Sequence, residues 1–198
     1  MRMKKRMTIT INKFPFKYLM FKKNDESAIY EFLNNSFSAK FILNNDLDLG
    51  ICFYYGLEFS EVYEALQAFL DEGIISTPIY CSKEINSLKD FEFDYSFIKK
   101  EILLVSSGVY DFKSLLFKTT NASVSKDKSN YVLKNYANDT EMKNIINKLF
   151  EADLNVSKAS KMLYLHRNTL IYKLDRFYEI TGYDIRKFND ACFIKQLL

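Results

Sequence analysis

A short stretch near the C-terminus of this 198-residue chain carries a net positive charge. Between residues 155 and 176 there are five basic residues and one acidic residue, Asp175, a local charge of +4, whereas the whole chain carries +3. The five are Lys158, Lys161, Arg167, Lys173 and Arg176. Lysines neutralise phosphates, and an arginine near a helix N-terminus can donate two hydrogen bonds to guanine. The chemistry that this stretch offers is therefore the binding of a phosphate polymer.

The same stretch has the pattern of two helices joined by a tight turn. Ala159 supplies the small residue needed where the helices cross, and Leu163 and Leu165 would lock the turn. In the second helix an apolar set recurs at i, i+4 and i+7, so that it shares one face: Leu170, Leu174 and Phe177. The polar residues fall largely on the other side. The pattern predicts a helix-turn-helix.

The order of residues in this region resembles the C-terminal helix-turn-helix of the PucR (purine-catabolism regulator) and CdaR (sugar-diacid regulator) transcription factors. That motif reads roughly A-x-x-L-x-[IVL]-H-x-N-T-[LV]-x-Y-[RK]-[LI], followed by T-G-x-D. The matching residues are Leu163, Leu165, His166, Asn168, Thr169, Leu170, Tyr172, Lys173, Leu174, Thr181, Gly182 and Asp184. Two residues are less usual for the motif: Tyr164 stands where a small or polar residue is common, and Lys173 stands where arginine is more usual than lysine.

The resemblance implies a set of residues at a DNA surface: His166, Arg167, Asn168, Thr169, Tyr172 and Lys173. Lys158 and Arg176 complete the predicted DNA-binding set. We expect Arg167 to contact a base edge and Lys173 the phosphate backbone. Three alternatives stay open: His166 caps the helix or contacts a phosphate, Asn168 and Thr169 cap the helix or read bases, and Tyr172 packs or donates to a phosphate.

Upstream of the basic stretch, strand-like and helical patterns alternate, which predicts a small α+β domain over residues 1–117. Predicted strands cover residues 8–12, 17–21, 41–43, 49–55 and 74–81, with a turn at 44–46. Predicted helices cover about 25–34, a segment capped by Ser60 and ending near Gly73, about 95–106, and 111–117. The fold class predicted for the chain is this α+β domain followed by an all-α helix-turn-helix domain.

A polar segment predicts a linker over residues 118–139, and everything after it reads as helix, giving a DNA-binding domain over 140–198. The first of these helices begins at Thr140. The second is capped by Asn155 or Ser157 and runs to Leu163. The third spans residues 167–181 and stops at Gly182, and the fourth begins at Ile185.

The resemblance also implies a role for the first domain, since the family's helix-turn-helix commonly follows a degenerate nucleotide-cyclase-like (GGDEF-like) domain. Residues 94–116 resemble the closing region of such a domain. The fragment Tyr55-Gly56-Leu57-Glu58-Phe59 echoes the GGDEF signature but lacks its second glycine and acidic pair, so we interpret that likeness as chance. We expect this domain to serve dimerisation, signal input by an unidentified small-molecule effector, or both.

Several classes of function are disfavoured by the composition. His166 is the only histidine, and the three cysteines, Cys52, Cys81 and Cys192, have no C-x-x-C spacing, so we expect no metal site and no Ser/His/Asp triad. Glycine-rich phosphate loops are absent from the sequence, and we expect no cofactor and no catalytic residue. No apolar stretch approaches membrane-spanning length and no signal peptide is evident, so we expect a cytoplasmic protein with no membrane partner.

The leading hypothesis is a sequence-specific DNA-binding transcriptional regulator. Because one helix-turn-helix covers only a half-site, we expect it to bind double-stranded DNA as a homodimer. One alternative is a protein-interaction adaptor that has lost specific DNA binding. The other is a nucleotide-processing enzyme, which would need clustered acidic metal ligands that the sequence does not present.

Overall fold

The computed structural model describes residues 13–37, 42–45, 49–120 and 126–198. The chain divides into two compact units, Met1–Thr119 and Thr120–Leu198. The first unit is built on a β-sheet and the second is helical. The predicted fold class, an α+β domain followed by an all-α domain, is confirmed.

The first unit contains five strands and four α-helices within the described residues. The strands are β1 (Lys17–Lys22), β2 (Ile42–Asn45), β3 (Leu49–Tyr54), β4 (Pro78–Cys81) and β5 (Gly108–Tyr110). The helices are α1 (Glu26–Ser36), α2 (Phe59–Asp71), α3 (Leu88–Glu101) and α4 (Phe112–Thr120). Single 3-10 turns occupy Lys23–Asp25 and Ile102–Leu104.

Strand β1 lies at the centre of the sheet, whose order is β2-β3-β1-β4-β5. Its two neighbours are both antiparallel to it, with Leu19 between Cys52 of β3 and Cys81 of β4. Strands β4 and β5 are parallel, and helix α3 lies between them in the chain. Because the strand is paired on both edges and covered on both faces, its four inner residues are fully buried.

Alternate residues of β1 supply two separate cores, as the two-residue period of a strand requires. Leu19 and Phe21 pack in one core with residues of α1 and α2. Tyr18 and Met20 pack in the other core with residues of α3 and with Leu115 of α4. Helices therefore cover both faces of the sheet.

A buried carboxylate ties helix α3 to the sheet. The hydroxyl groups of Tyr18 and Tyr80 both donate to Oδ2 of Asp94, at 2.6 and 3.3 Å. All three side chains are buried. Since buried polar groups are costly unless they are hydrogen-bonded, this pair of bonds fixes the register of α3 on β1 and β4.

Two helices of the first unit begin earlier than the sequence predicted. Helix α3 starts at Leu88 rather than near residue 95, because the side chain of Ser87 accepts a hydrogen bond from the Asp90 amide and caps the helix. Helix α2 is capped at Glu58 rather than at Ser60, with the Glu58 amide donating to the carboxylate of Glu61. The fragment that echoes the GGDEF signature, residues 55–59, thus supplies the N-cap and the first residue of this helix.

The strands differ from the prediction in three places. Asn44 and Asn45 were predicted as a turn, but they pair with Ile51 and Gly50 in the β2–β3 ladder, which overrides their turn propensity. Strand β4 is shorter than the predicted 74–81, and β5 was not predicted. The predicted strand at 8–12 and residues 41 and 46 lie outside the described residues.

The second unit contains five α-helices within the described residues. They are α5 (Lys126–Leu133), α6 (Thr140–Glu151), α7 (Val156–Met162), α8 (Arg167–Thr181) and α9 (Phe188–Gln196). A 3-10 turn, Lys134–Tyr136, follows α5. The apolar stripe of α6 and the inner face of α8 are both buried, and α6 contacts α7 and α9.

The predicted linker over 118–139 requires correction where the structure describes it. Helix α5 and the 3-10 turn occupy residues 126–136 and bury Val132 and Leu133. Ser129 donates to the carbonyl of Leu197 at 2.8 Å, and Lys134 donates to the carbonyl of Ile180. This segment is therefore a folded part of the helical unit, because its few apolar residues find a core formed by residues distant in the sequence.

We predict that Asp94→Leu will lower the free energy of unfolding by about 2–4 kcal/mol, because two buried hydroxyls lose a charged acceptor. Asp94→Asn keeps an oxygen that accepts and should cost less. Glu92→Ala, on the exposed side of the same helix, should be close to neutral. Urea unfolding of the three variants measures this, and equal stability of Asp94→Leu and Glu92→Ala would contradict it.

Candidate nucleic-acid interface

Helices α7 and α8 and the turn between them form a helix-turn-helix. The side chain of Asn155 accepts a hydrogen bond from the Lys158 amide at 3.0 Å and starts α7, which settles the choice between Asn155 and Ser157. Ala159 is fully buried, and α7 contacts α8. The Leu165 amide donates to the carbonyl of Ser160 at 2.9 Å and closes the turn.

The turn places one aromatic residue in an unfavourable backbone conformation. Tyr164 has a φ of 55°, in the left-handed region, and its side chain is 98% exposed. For a residue with a Cβ atom this conformation costs about 1–2 kcal/mol. Glycine avoids this cost, and asparagine and aspartate tolerate the conformation better than other residues that have a Cβ atom.

The imidazole of His166 caps the N-terminus of α8. Its Nδ1 accepts a hydrogen bond from the amide of Asn168 at 3.2 Å. Of the alternatives left open by the sequence, the structure shows the cap for His166, while the side chains of Asn168 and Thr169 are exposed beside it. A neutral imidazole that accepts at Nδ1 carries its proton on Nε2, so the same ring can still donate outward.

The burial pattern of α8 separates its faces. Its inner face is formed by Leu170, Leu174, Phe177 and Thr181. Its exposed side chains in the first three turns include those of Arg167, Asn168, Thr169, Tyr172 and Arg176. Tyr172 is 69% exposed and therefore does not serve as a core residue. Lys173 lies at the boundary and is half-buried.

Three of the predicted DNA-binding side chains form ion pairs within the domain. Lys173 contacts Glu141 of α6 at 3.1 Å, and Lys158 contacts Asp153 at 3.2 Å. Arg176 contacts Glu179 at 3.0 Å, and this hydrogen bond raises the pKa of the Arg176 guanidinium. The positive charge counted along the sequence is therefore partly neutralised by acidic residues outside the counted stretch.

Arg167 differs from these three cations. Its side chain is exposed at the first position of α8, and within the part of the chain that the structure describes it forms no ion pair. Lys161 on α7 is also exposed and has no ion pair among those residues. Arg167 is thus a fully available cation beside the exposed amide and hydroxyl of Asn168 and Thr169.

The T-G-x-D part of the motif closes the C-terminal end of α8. Gly182 has a φ of 78° and follows the last helical residue, Thr181, whose hydroxyl donates to the carbonyl of Phe177 at 2.8 Å. Asp184 accepts from Nε of Arg186 at 2.7 Å. Partial burial acts to raise the pKa of Asp184, but the hydrogen bonds from Arg186 outweigh it and the pKa is lowered. These residues fix the length of α8.

Other kinds of site were sought across the described residues. No group of three or more His, Cys, Asp or Glu side chains that could hold a metal ion occurs among them. None of the helices they form has both the length and the apolar character needed to cross a bilayer. The absence of a metal site, a cofactor and a catalytic residue remains a prediction.

Comparison with known proteins shows which family the helix-turn-helix region resembles. Residues 145–194, which begin within α6 and end within α9, match the family described as the PucR C-terminal helix-turn-helix domain. The family resemblance predicted from the motif is thereby confirmed.

Curated proteins similar to the chain include a regulator. Over 84 residues the chain is 32% identical to the DNA-binding transcriptional activator AdeR of Bacillus subtilis (strain 168), covering 41% of this chain and 20% of AdeR. Over 99 residues it is 29% identical to the protein YxkF of the same organism, covering 49% of this chain and 33% of YxkF. The chain thus spans a third or less of the length of these relatives.

A solved structure shares the fold. The crystal structure of a regulator of polyketide synthase expression from Bifidobacterium adolescentis matches with a TM-score of 0.52 and 13% identity, covering 93% of this chain and 80% of that one. At this identity the likeness concerns the fold alone.

We predict that His166→Ala will lower the stability of the helical unit by about 0.5–2 kcal/mol, the usual cost of losing an N-cap. His166→Asn is the matched control, because asparagine accepts the same amide hydrogen bond, and it should retain most of the stability. Urea unfolding followed by helical circular dichroism measures both. Equal losses in the two variants would show that the ring does not act as a cap.

We predict that Tyr164→Gly will raise the free energy of unfolding by about 0.5–1 kcal/mol. Glycine removes the penalty of the left-handed conformation, but its greater freedom in the unfolded chain cancels part of that gain. Tyr164→Ala keeps a Cβ atom in the same conformation and should leave stability unchanged. Thermal unfolding of the pair separates backbone strain from loss of the ring, and the prediction fails if alanine stabilises as much as glycine.

Proposed function

We propose that this protein is a sequence-specific DNA-binding transcriptional regulator of the PucR/CdaR type that acts in the cytoplasm without catalytic activity. The observation that carries the proposal is the exposed N-terminal part of α8. There an arginine without an ion pair in the described structure stands beside exposed amide, hydroxyl and phenol groups, on a helix of a PucR helix-turn-helix domain. Recognition helices of this motif read bases with their N-terminal residues.

The proposal gives each predicted site residue a role. Arg167 donates to a guanine edge, and Asn168 and Thr169 read neighbouring base edges. Tyr172 and Nε2 of His166 donate to phosphates, and the backbone amides at the start of α8 assist. The remaining contacts are to the phosphate backbone, from Lys158, Lys173 and Arg176.

Binding as a homodimer is the second part of the proposal. One helix-turn-helix reads about half of an operator, so useful affinity and specificity require two copies on spaced half-sites. The sheet-containing unit would supply dimerisation, response to a small-molecule effector, or both. In-vitro selection of bound duplexes from a random library tests this directly, because a dimer enriches two half-sites at a fixed spacing and a monomer enriches one.

We predict that Arg167→Ala will weaken binding to the selected operator by about 1–3 kcal/mol and relax specificity at one position of the site. Affinity for operator and for random duplex, measured by fluorescence anisotropy, gives both quantities. Lys195→Ala is the matched control: it removes the same charge from α9, where Lys195 contacts Asn147 of α6. Unchanged operator affinity in Arg167→Ala would contradict the assignment.

The ion pairs favour one rival function, the adaptor that has lost specific DNA binding, because they neutralise three of the predicted phosphate contacts. Salt dependence separates the two. A regulator that uses these cations loses affinity steeply as salt rises, and Glu141→Gln, which frees Lys173, should tighten binding. An adaptor shows no operator and no response to Glu141→Gln.

A further inference from the structure

A polar pocket of about 300 Å³ lies at one end of the strands of the first unit, where β1 ends and β4 and β5 begin. Among its lining residues are Lys22, Asp25, Ser76, Thr77, Ser106 and Ser107. The volume is at the lower end of the range of small-molecule sites. No pattern in the sequence marks this set, which comes from three separate segments.

Strand pairing brings the segments together. Phe21 of β1 lies opposite Ile79 of β4, and Pro78 of β4 lies beside Gly108 of β5. Thr77 and Ser107 come directly before Pro78 and Gly108. The strand register therefore also brings Thr77 and Ser107 together at the same end of the strands. The hydroxyl of Tyr110 donates to the carbonyl of Ser106 at 3.1 Å and holds the third segment.

Thr77 is the feature that points to a ligand. Its side chain is only 3% exposed, and its Oγ1 has no hydrogen-bond partner among the described residues. A buried hydroxyl without a partner lowers stability, and native proteins satisfy nearly all such groups. Thr77 lines the pocket but its Oγ1 is closed to solvent in this structure, so a ligand in the pocket would supply the missing hydrogen bond once the Thr77 side chain rotates toward it.

The charges of the lining residues define the class of ligand. Lys22 is half-buried and forms no ion pair with the described part of the chain. Asp25 precedes α1 without capping it, and its carboxylate instead accepts from the Ser76 amide at 3.2 Å. A ligand with a single charge would be repelled by one of these two side chains, an anion by Asp25 and a cation by Lys22.

We propose that this pocket binds a small zwitterion of the α-amino-acid class. The ligand carboxylate pairs with the Lys22 ammonium and accepts from the serine hydroxyls, while the ligand ammonium donates to Asp25. After rotation about its Cα–Cβ bond, the hydroxyl of Thr77 bonds to the polar part of the ligand. The proposal goes beyond DNA recognition and holds whether or not the helical unit binds an operator.

Isothermal titration of the full chain with individual proteinogenic amino acids, in the absence of DNA, tests the proposal. At least one should bind saturably with one site per chain. Its amide and its deaminated acid, which each lack one charge, should bind at least about tenfold more weakly. Inorganic phosphate and glucose serve as the anion and polyol probes. Binding of either of these, with no amino acid bound, would overturn the assignment, as would no binding at all.

Variants locate the site. Lys22→Met and Asp25→Asn should each weaken binding by at least about tenfold, whereas Lys23→Met, which removes an exposed neighbouring charge outside the lining, should leave it unchanged. Thr77→Val should weaken binding without lowering the melting temperature, because the hydroxyl that it removes has no partner within the described chain. Wild-type affinity in Lys22→Met and Asp25→Asn would place any binding elsewhere and refute the proposal.

Discussion

Burial of the apolar stripe of α8 is the constraint on which the interface depends. Leu170, Leu174 and Phe177 can reach the core of the helical unit together only in one rotation of the helix about its axis. That rotation leaves Arg167 and Tyr172 exposed and holds Lys173 at the boundary, within reach of Glu141. The hydrophobic core thereby decides which polar groups are available to a partner, although none of its residues touches that partner.

Rotation alone does not position a helix along its axis, and the ends of α8 supply this second constraint. The His166 cap makes Arg167 the first helical residue, and the left-handed Gly182 terminates the helix after Thr181. The bonds between Asp184 and Arg186 then direct the chain into α9. The motif residues thus divide into those that fix the ends of the helix and those whose side chains are exposed on its surface.

The helical unit was more predictable than the sheet-containing one, for a physical reason. Caps and stop signals act between near neighbours, so Gly182 and the bounds of α8 could be predicted from local spacing, and the cap of α7 could be narrowed to Asn155 or Ser157. The α5 helix could not, because Val132 and Leu133 become informative only when the distant partners that bury them are known. The same holds for the Lys173–Glu141 pair and for the pocket around Thr77, whose members meet through strand register rather than sequence proximity.

The internal ion pairs also bear on how a site of this kind achieves selectivity. Exposed pairs such as Lys158–Asp153 and Arg176–Glu179 contribute little stability, so exchanging the carboxylate for a phosphate costs little. Yet the same carboxylates lie beside the surface that would approach the duplex. They would repel the DNA phosphates whatever the base sequence. Their repulsion would lower non-specific affinity, whereas the base contact proposed for Arg167 would be gained only at a matching site. Because the biologically relevant quantity is the ratio of specific to non-specific binding, a modest local charge serves a regulator better than a strongly basic surface.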